Sequence, residues 1–178
     1  KDFHNQKFYH IGAKKDFDLF KNFENLKVEL IDNADYILCT GLFENNQSDL
    51  NYYKKLLKNN VQKKMICTNP DLVVDRGNKR EYCAGSIAKI FEEISGRVVY
   101  FGKPFPPVYK ISAKLENKKV LCIGDNFNTD IRGANMQNFD SLLISGGIHR
   151  NEILNSNLEE LLKDYNVKLE YIQTELKW

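Results

Sequence analysis

With 178 residues, 42% of them hydrophobic and 28% charged, the chain is long enough to bury one generous core or two small ones, and it lacks the low-hydrophobicity signature of disorder. A formal net charge of +2 provides no global field for nucleic acid. No apolar run approaches the ~20 residues that span a bilayer, and the start, KDFHNQKFYHIG, has no signal-peptide pattern. A soluble cytoplasmic protein without nucleic-acid or membrane partners is the expectation.

Strands and amphipathic helices alternate along the chain. Phe8–Ile11 reads as a strand, and Phe17, Phe20 and Phe23 fall at helical spacing over Asp16–Phe23. Val28–Ile31 and Tyr36–Thr40 read as strands. Ser48 suits an N-cap for a helix striped by Leu50, Tyr53, Leu56 and Leu57. Lys64–Cys67 is a strand halted by the turn Thr68-Asn69-Pro70-Asp71. The charged stretch Asp75–Glu81 reads as a solvated face. Ala84–Ser95 then forms a helix that stops at Gly96.

In the second half, Arg97–Phe101 reads as a strand, and Pro106-Pro107 opens a helix carrying Val108, Ile111 and Leu115. Val120–Ile123 is a strand, Thr129–Met136 a short helix and Ser141–Ile144 a strand. A helical pair near Glu152–Leu162 and a strand over Val167–Ile172 close the pattern. Such alternation predicts an α/β fold with a mainly parallel sheet. The boundary falls at Ser95–Arg97, giving domains at about 1–96 and 97–178. Cys39, Cys67, Cys83 and Cys122 are far apart with no CxxC pair, which points to buried reduced thiols rather than zinc.

Ligands of open parallel sheets bind beyond the carboxyl ends of strands. Three such ends carry notable residues: Lys103 after one strand, Asp125 after the next, and Gly146-Gly147 after the third. An ammonium and the carboxylates of Asp125 and Asp130 on one crevice would suit a phosphate shared with a magnesium ion, which takes one or two carboxylates plus phosphate and water. The bland alternative stays open: Gly124-Asp125 is a common strand ending, and Asp130 would cap a helix. An EF-hand reading fails, because Ile131 stands where its glycine belongs and Gln137 where its glutamate belongs.

GKPFPPVYK and VLCIGDNFNTDIRGAN resemble motifs three and four of the haloacid dehalogenase-like (HAD) superfamily, and more narrowly those of its NagD-like group, subfamily IIA. CTNPD, AGSIAKIFEEISGR and LISGGIHR resemble that group in the expected order. The resemblance implies an α/β cap domain followed by the C-terminal half of a Rossmann-like core. It implies that Lys103 neutralises phosphate, that Asp125 ligates Mg2+ with Asp130 in support, and that Asn69 and Asp71 face the substrate. The activity implied is hydrolysis of a small phosphorylated metabolite through an aspartyl-phosphate.

The family's DxDGT-like nucleophile motif has no match here. Asp16-Phe17-Asp18 is the one DxD, and it opens an amphipathic stretch with no Gly-Thr behind it. Two readings follow. In the first, the chain is part of a phosphatase whose N-terminal core half lies elsewhere. In the second, it is a catalytically silent remnant with at most weak phosphate, magnesium or partner binding. The missing strand would leave Val120–Ile123 with an uncovered edge, open to that N-terminal half or to self-association. A free-standing nucleotide-binding module is disfavoured, since neither GxGxxG nor a P-loop occurs.

Overall fold

The computed structural model of the chain describes residues 3–112 and 118–177. Contacts divide it into two compact units, 1–101 and 102–178.

The first unit is built on a five-stranded, wholly parallel sheet. Its strands are β1 (Phe8–Ile11), β2 (Lys27–Val28), β3 (Tyr36–Cys39), β4 (Lys64–Cys67) and β7 (Arg97–Tyr100), in the order β2-β1-β3-β4-β7. Period-two alternation sorts their side chains between two faces. Ile11, Ile37, Cys39, Met65 and Cys67 join one core with Tyr53 and Leu57 of α1 (Leu50–Lys58) and Ile87 and Phe91 of α2 (Ala84–Glu93). Phe8 and Tyr36 turn the other way and pack with Phe20. The polar stretch after β4 folds into an antiparallel hairpin, β5 (Val73–Arg76) and β6 (Lys79–Tyr82), around Gly77 at φ +60°.

Several sequence expectations change. Asp16–Phe23 is not one helix but part of two 3₁₀ segments, because Phe17 and Phe23 stay largely exposed and only Phe20 is buried. The strand expected at Val28–Ile31 ends at Val28, and the chain then turns into a 3₁₀ segment at Ile31–Asn33. The N-cap of α1 is Asp49, whose carboxylate accepts from the Asn51 and Tyr52 amides at 3.0 and 3.2 Å, rather than Ser48. β7 pairs in parallel register with β4 (Lys64↔Arg97 to Cys67↔Tyr100), so it belongs to the first sheet and the units divide at Phe101–Gly102.

Burial explains the thiols. It raises the Cys39 thiol far above its ordinary range and the Cys67 thiol to about 12, whereas Cys122 is partly exposed. With a thiol-reactive disulfide reagent, Cys122 should react in the native chain and Cys39 and Cys67 only as it unfolds. Equal native rates at all three would contradict this packing.

His10 lies against Phe20, ring centroids 4.5 Å apart, with Nε2 2.8 Å from Thr40 Oγ1, whose hydroxyl donates to Asp16. Burial lowers its imidazole from 6.5 to about 4. The unfolded chain therefore takes up this proton at higher pH than the folded chain. The contribution is complete above about 6.5 and is lost as pH falls through 4. The first unit's urea midpoint should drop between pH 7 and pH 4.5, and the drop should shrink in His10→Gln.

The second unit has a three-stranded parallel sheet, β8 (Leu121–Gly124), β9 (Asp140–Ile144) and β10 (Tyr171–Gln173), in the order β10-β9-β8. The last strand is shorter than the expected Val167–Ile172. Its helices are α3 (Pro106–Ser112), α4 (Arg132–Gln137), α5 (Arg150–Asn155) and α6 (Leu158–Asp164). Leu115, expected on α3, lies outside the described residues. Phe127, Ile131, Leu143 and Val167 form the core. β8 pairs with β9 on one side only among the described residues, and Leu121 and Ile123 are 46% and 39% exposed. No helix of the described residues is long and apolar enough to cross a membrane.

Candidate functional site

The site is assembled at the carboxyl end of β8. After Gly124 the chain enters a π-helical turn, Phe127–Ile131, capped by Asn126, whose Oδ1 accepts the Asn128 amide at 2.9 Å. This turn brings Asp130, 7% exposed, back over the strand end. One carboxylate oxygen accepts from the Lys103 ammonium, and the other accepts the Asp125 and Asn126 amides at 3.2 Å each. Charge-assisted bonds of this kind are about twice as strong as neutral ones. Asp130 therefore locks the loop and aims Lys103.

Asp125 is held differently. Its Oδ2 accepts the Ile148 amide at 2.9 Å, from the loop that follows β9. Oδ1 is thus the oxygen a cation would take. Two glycines make these approaches feasible. A Cβ on Gly124 would lie 2.1 Å from Asp130 Cγ, and one on Gly147 would lie 2.1 Å from Asp125 Oδ2. Any side chain at either position would displace a carboxylate.

The electrostatics fit one cation beside an anion. Two carboxylates share a strand end with one ammonium, and the Lys103 side chain is 45% exposed while Asp130 is nearly covered. Burial, with Cys122 and Asp130 adding to it, pushes the Tyr109 phenol up to about 12. No group of three or more His, Cys, Asp or Glu able to hold a metal occurs among the described residues. That donor set fits a hard cation taking one carboxylate here and completing its shell with phosphate and water, as magnesium does; it does not fit a closed metal cage.

The structure places Lys103, Asp125 and Asp130 near one strand end, with one correction to the sequence expectation. Lys103 does not end a strand of the sheet that holds Asp125, because the strand before it, β7, belongs to the first sheet. It starts the second unit, in the turn closed by the Phe105 amide on Gly102 O at 2.9 Å.

Asn69 and Asp71 lie in the first unit. Asn69 Oδ1 accepts the Asp71 amide at 3.1 Å, and Asn69 lines a crevice with Asp16, Thr40, Arg76 and Glu81. The crevice opens at the carboxyl ends of β1, β3 and β4, with the β5–β6 hairpin as a wall. Sequence reasoning missed that hairpin, although Gly77-Asn78 between alternating residues is a two-residue turn signal.

It also missed His149. That ring packs on Phe127 and Tyr165 at centroid distances of 4.8 and 5.1 Å, with Nδ1 2.6 Å from Glu152 Oε2 and Nε2 3.4 Å from Asn126 Oδ1. The available signal was the i, i+3 spacing of His149 and Glu152 behind Gly146-Gly147.

Parallel α/β sheets, with a lysine and two aspartates gathered at one strand end, define an α/β class of protein with a charged site beyond the sheet. Residues 100–168 match a family model described as HAD-hydrolase-like. A haloacid dehalogenase-like hydrolase from Brucella suis superposes at TM-score 0.73 with 31% identity, covering 80% of this chain and 59% of its own. A p-nitrophenyl phosphatase from Archaeoglobus fulgidus (TM-score 0.64, 17% identity, 95% and 64% covered) and a double mutant of a thermostable NPPase from Geobacillus stearothermophilus (0.62, 24%, 96% and 65%) share the fold. Residues 100–168 thus resemble the HAD-hydrolase-like family, and the chain shares the fold of haloacid dehalogenase-like hydrolases. It spans between 59% and 65% of the length of these solved neighbours. No curated protein matches its sequence.

Proposed function

We propose that the chain supplies the lysine and metal-binding half of a magnesium-dependent phosphatase of the NagD-like group, acting on a small phosphorylated metabolite. The observation that carries this reading is the joint placement of Lys103, Asp125 and Asp130 around one strand end. Asp125 would hold Mg2+, which when bound neutralises developing phosphate charge. Lys103, oriented by Asp130, would hold a phosphate oxygen and offset the charge of an attacking carboxylate. Asn69 and Asp71 are assigned to substrate contact, within a cap that corresponds to the first unit, 1–101.

The attacking aspartate has no counterpart motif in these 178 residues. We assign it to a segment outside them, paired along the open side of β8, where the exposure of Leu121 and Ile123 supports an added strand. With Mg2+ and p-nitrophenyl phosphate, the 178-residue chain should give no turnover, and adding a DxDGT-bearing N-terminal half should produce it. Turnover by these residues alone, lost in Asp125→Asn, would overturn the assignment of the nucleophile.

A further inference from the structure

Segment 147–149 grips the Asp125 loop at two adjacent points. The Ile148 amide donates to Asp125 Oδ2 at 2.9 Å, and the next residue, His149, places Nε2 3.4 Å from Asn126 Oδ1, the oxygen that caps the π turn. The His149 ring is itself fixed. In its doubly protonated form the ring donates from both nitrogens, Nδ1–H to the ionised Glu152 at 2.6 Å and Nε2–H to Asn126 Oδ1, and the Tyr165 hydroxyl donates to both Glu152 oxygens at 2.9 and 3.0 Å. Although burial opposes its charge, the hydrogen bonds from His149 and Tyr165 hold Glu152 below the ordinary carboxylate range. Burial and Glu152 push the Tyr165 phenol up to about 12, so it remains a donor.

An aromatic plug would need only ring contacts. Phe127 stacks on Tyr165 at 4.9 Å and already supplies them. The polar edges of His149 instead connect a charged brace to the loop that holds Asp125, in the arrangement that orients ligands from one layer behind.

We propose that His149, braced by Glu152 and Tyr165, is a positioning group for the Asp125–Asn126 loop, setting the direction of the carboxylate offered to a divalent cation. The inference rests on the metal reading of Asp125 given above.

The test uses Mn2+ as the probe on the full chain, read by paramagnetic broadening of the Asp125, Asn126 and Ile148 amides. His149→Phe keeps a ring between Phe127 and Tyr165, so its unfolding midpoint should stay near that of the unaltered chain. Its Mn2+ affinity should fall about 10-fold, at the lower end of what outer partners contribute, and Glu152→Ala should fall in the same direction. Exchange of the Asn128 amide should quicken in both variants. Equal Mn2+ affinity in His149→Phe and the unaltered chain would overturn the positioning role alone. Absence of Mn2+ binding by the unaltered chain would remove the metal reading of Asp125 and this role with it.

Discussion

Asp125→Asn is expected to erase divalent-cation binding while leaving the fold in place. The amide keeps an oxygen for the Ile148 N–H, so the bond at 2.9 Å has a replacement acceptor. It loses the negative charge, and with it the carboxylate oxygen that the Ile148 amide does not occupy. The loss should exceed the ~10–100-fold that removing an outer partner costs. The unfolding free energy should change by less than about 1 kcal/mol, the net worth of one ordinary hydrogen bond. Undiminished Mn2+ broadening in this variant would show that Asp125 serves only to tie β8 to the loop after β9.

Asp130→Ala should act first on stability. Its carboxylate accepts two backbone amides at 3.2 Å and the Lys103 ammonium while almost fully covered. Removal strands those amides and takes the carboxylate away from the lysine. Breaking a buried pair in this way costs about 3–5 kcal/mol. The 45% exposure of Lys103 places the expectation near 3, because water takes over part of the ammonium. Against a whole-domain stability of about 5–15 kcal/mol, that should unfold the second unit at much lower urea while the first keeps its transition. A shift below about 1 kcal/mol would mean the loop is held by its cap and core alone. The two aspartates are thus separable: one matters for what the loop binds, the other for whether the loop exists.

The parts of this arrangement that depend on local chemistry were legible in the sequence. Apolar runs ending in Gly41, in Asn69-Pro70 and in Gly124-Asp125 marked strand ends, because a short unbroken hydrophobic run halted by turn residues is how a parallel strand and its exit read in sequence. Lys103, Asp125 and Asp130 stood out as charges placed straight after such runs. The parts that depend on pairing were hidden. Nothing in Arg97–Tyr100 tells which sheet it joins; the choice of β4 as partner is a tertiary decision. The phenylalanines of Asp16–Phe23 kept helical spacing, yet only Phe20 found a core to enter. The grip of His149 on Asn126 crosses from one loop to another, and no spacing rule reaches that far.

The π turn at Phe127–Ile131 has a consequence for the length of this stretch as well as its composition. In it the Ile131 amide bonds back to Asn126 O at 3.2 Å, one residue further than an α-helix allows. Deleting a single residue here would let the segment relax into regular α-helix, and everything beyond would rotate by about 100°, one residue's share of a 3.6-residue turn. Asp130 would then point away from the strand end, with every side chain of the motif still present. The spacing between Asp125 and Asp130 is therefore a phase setting, and the wider turn is what holds it.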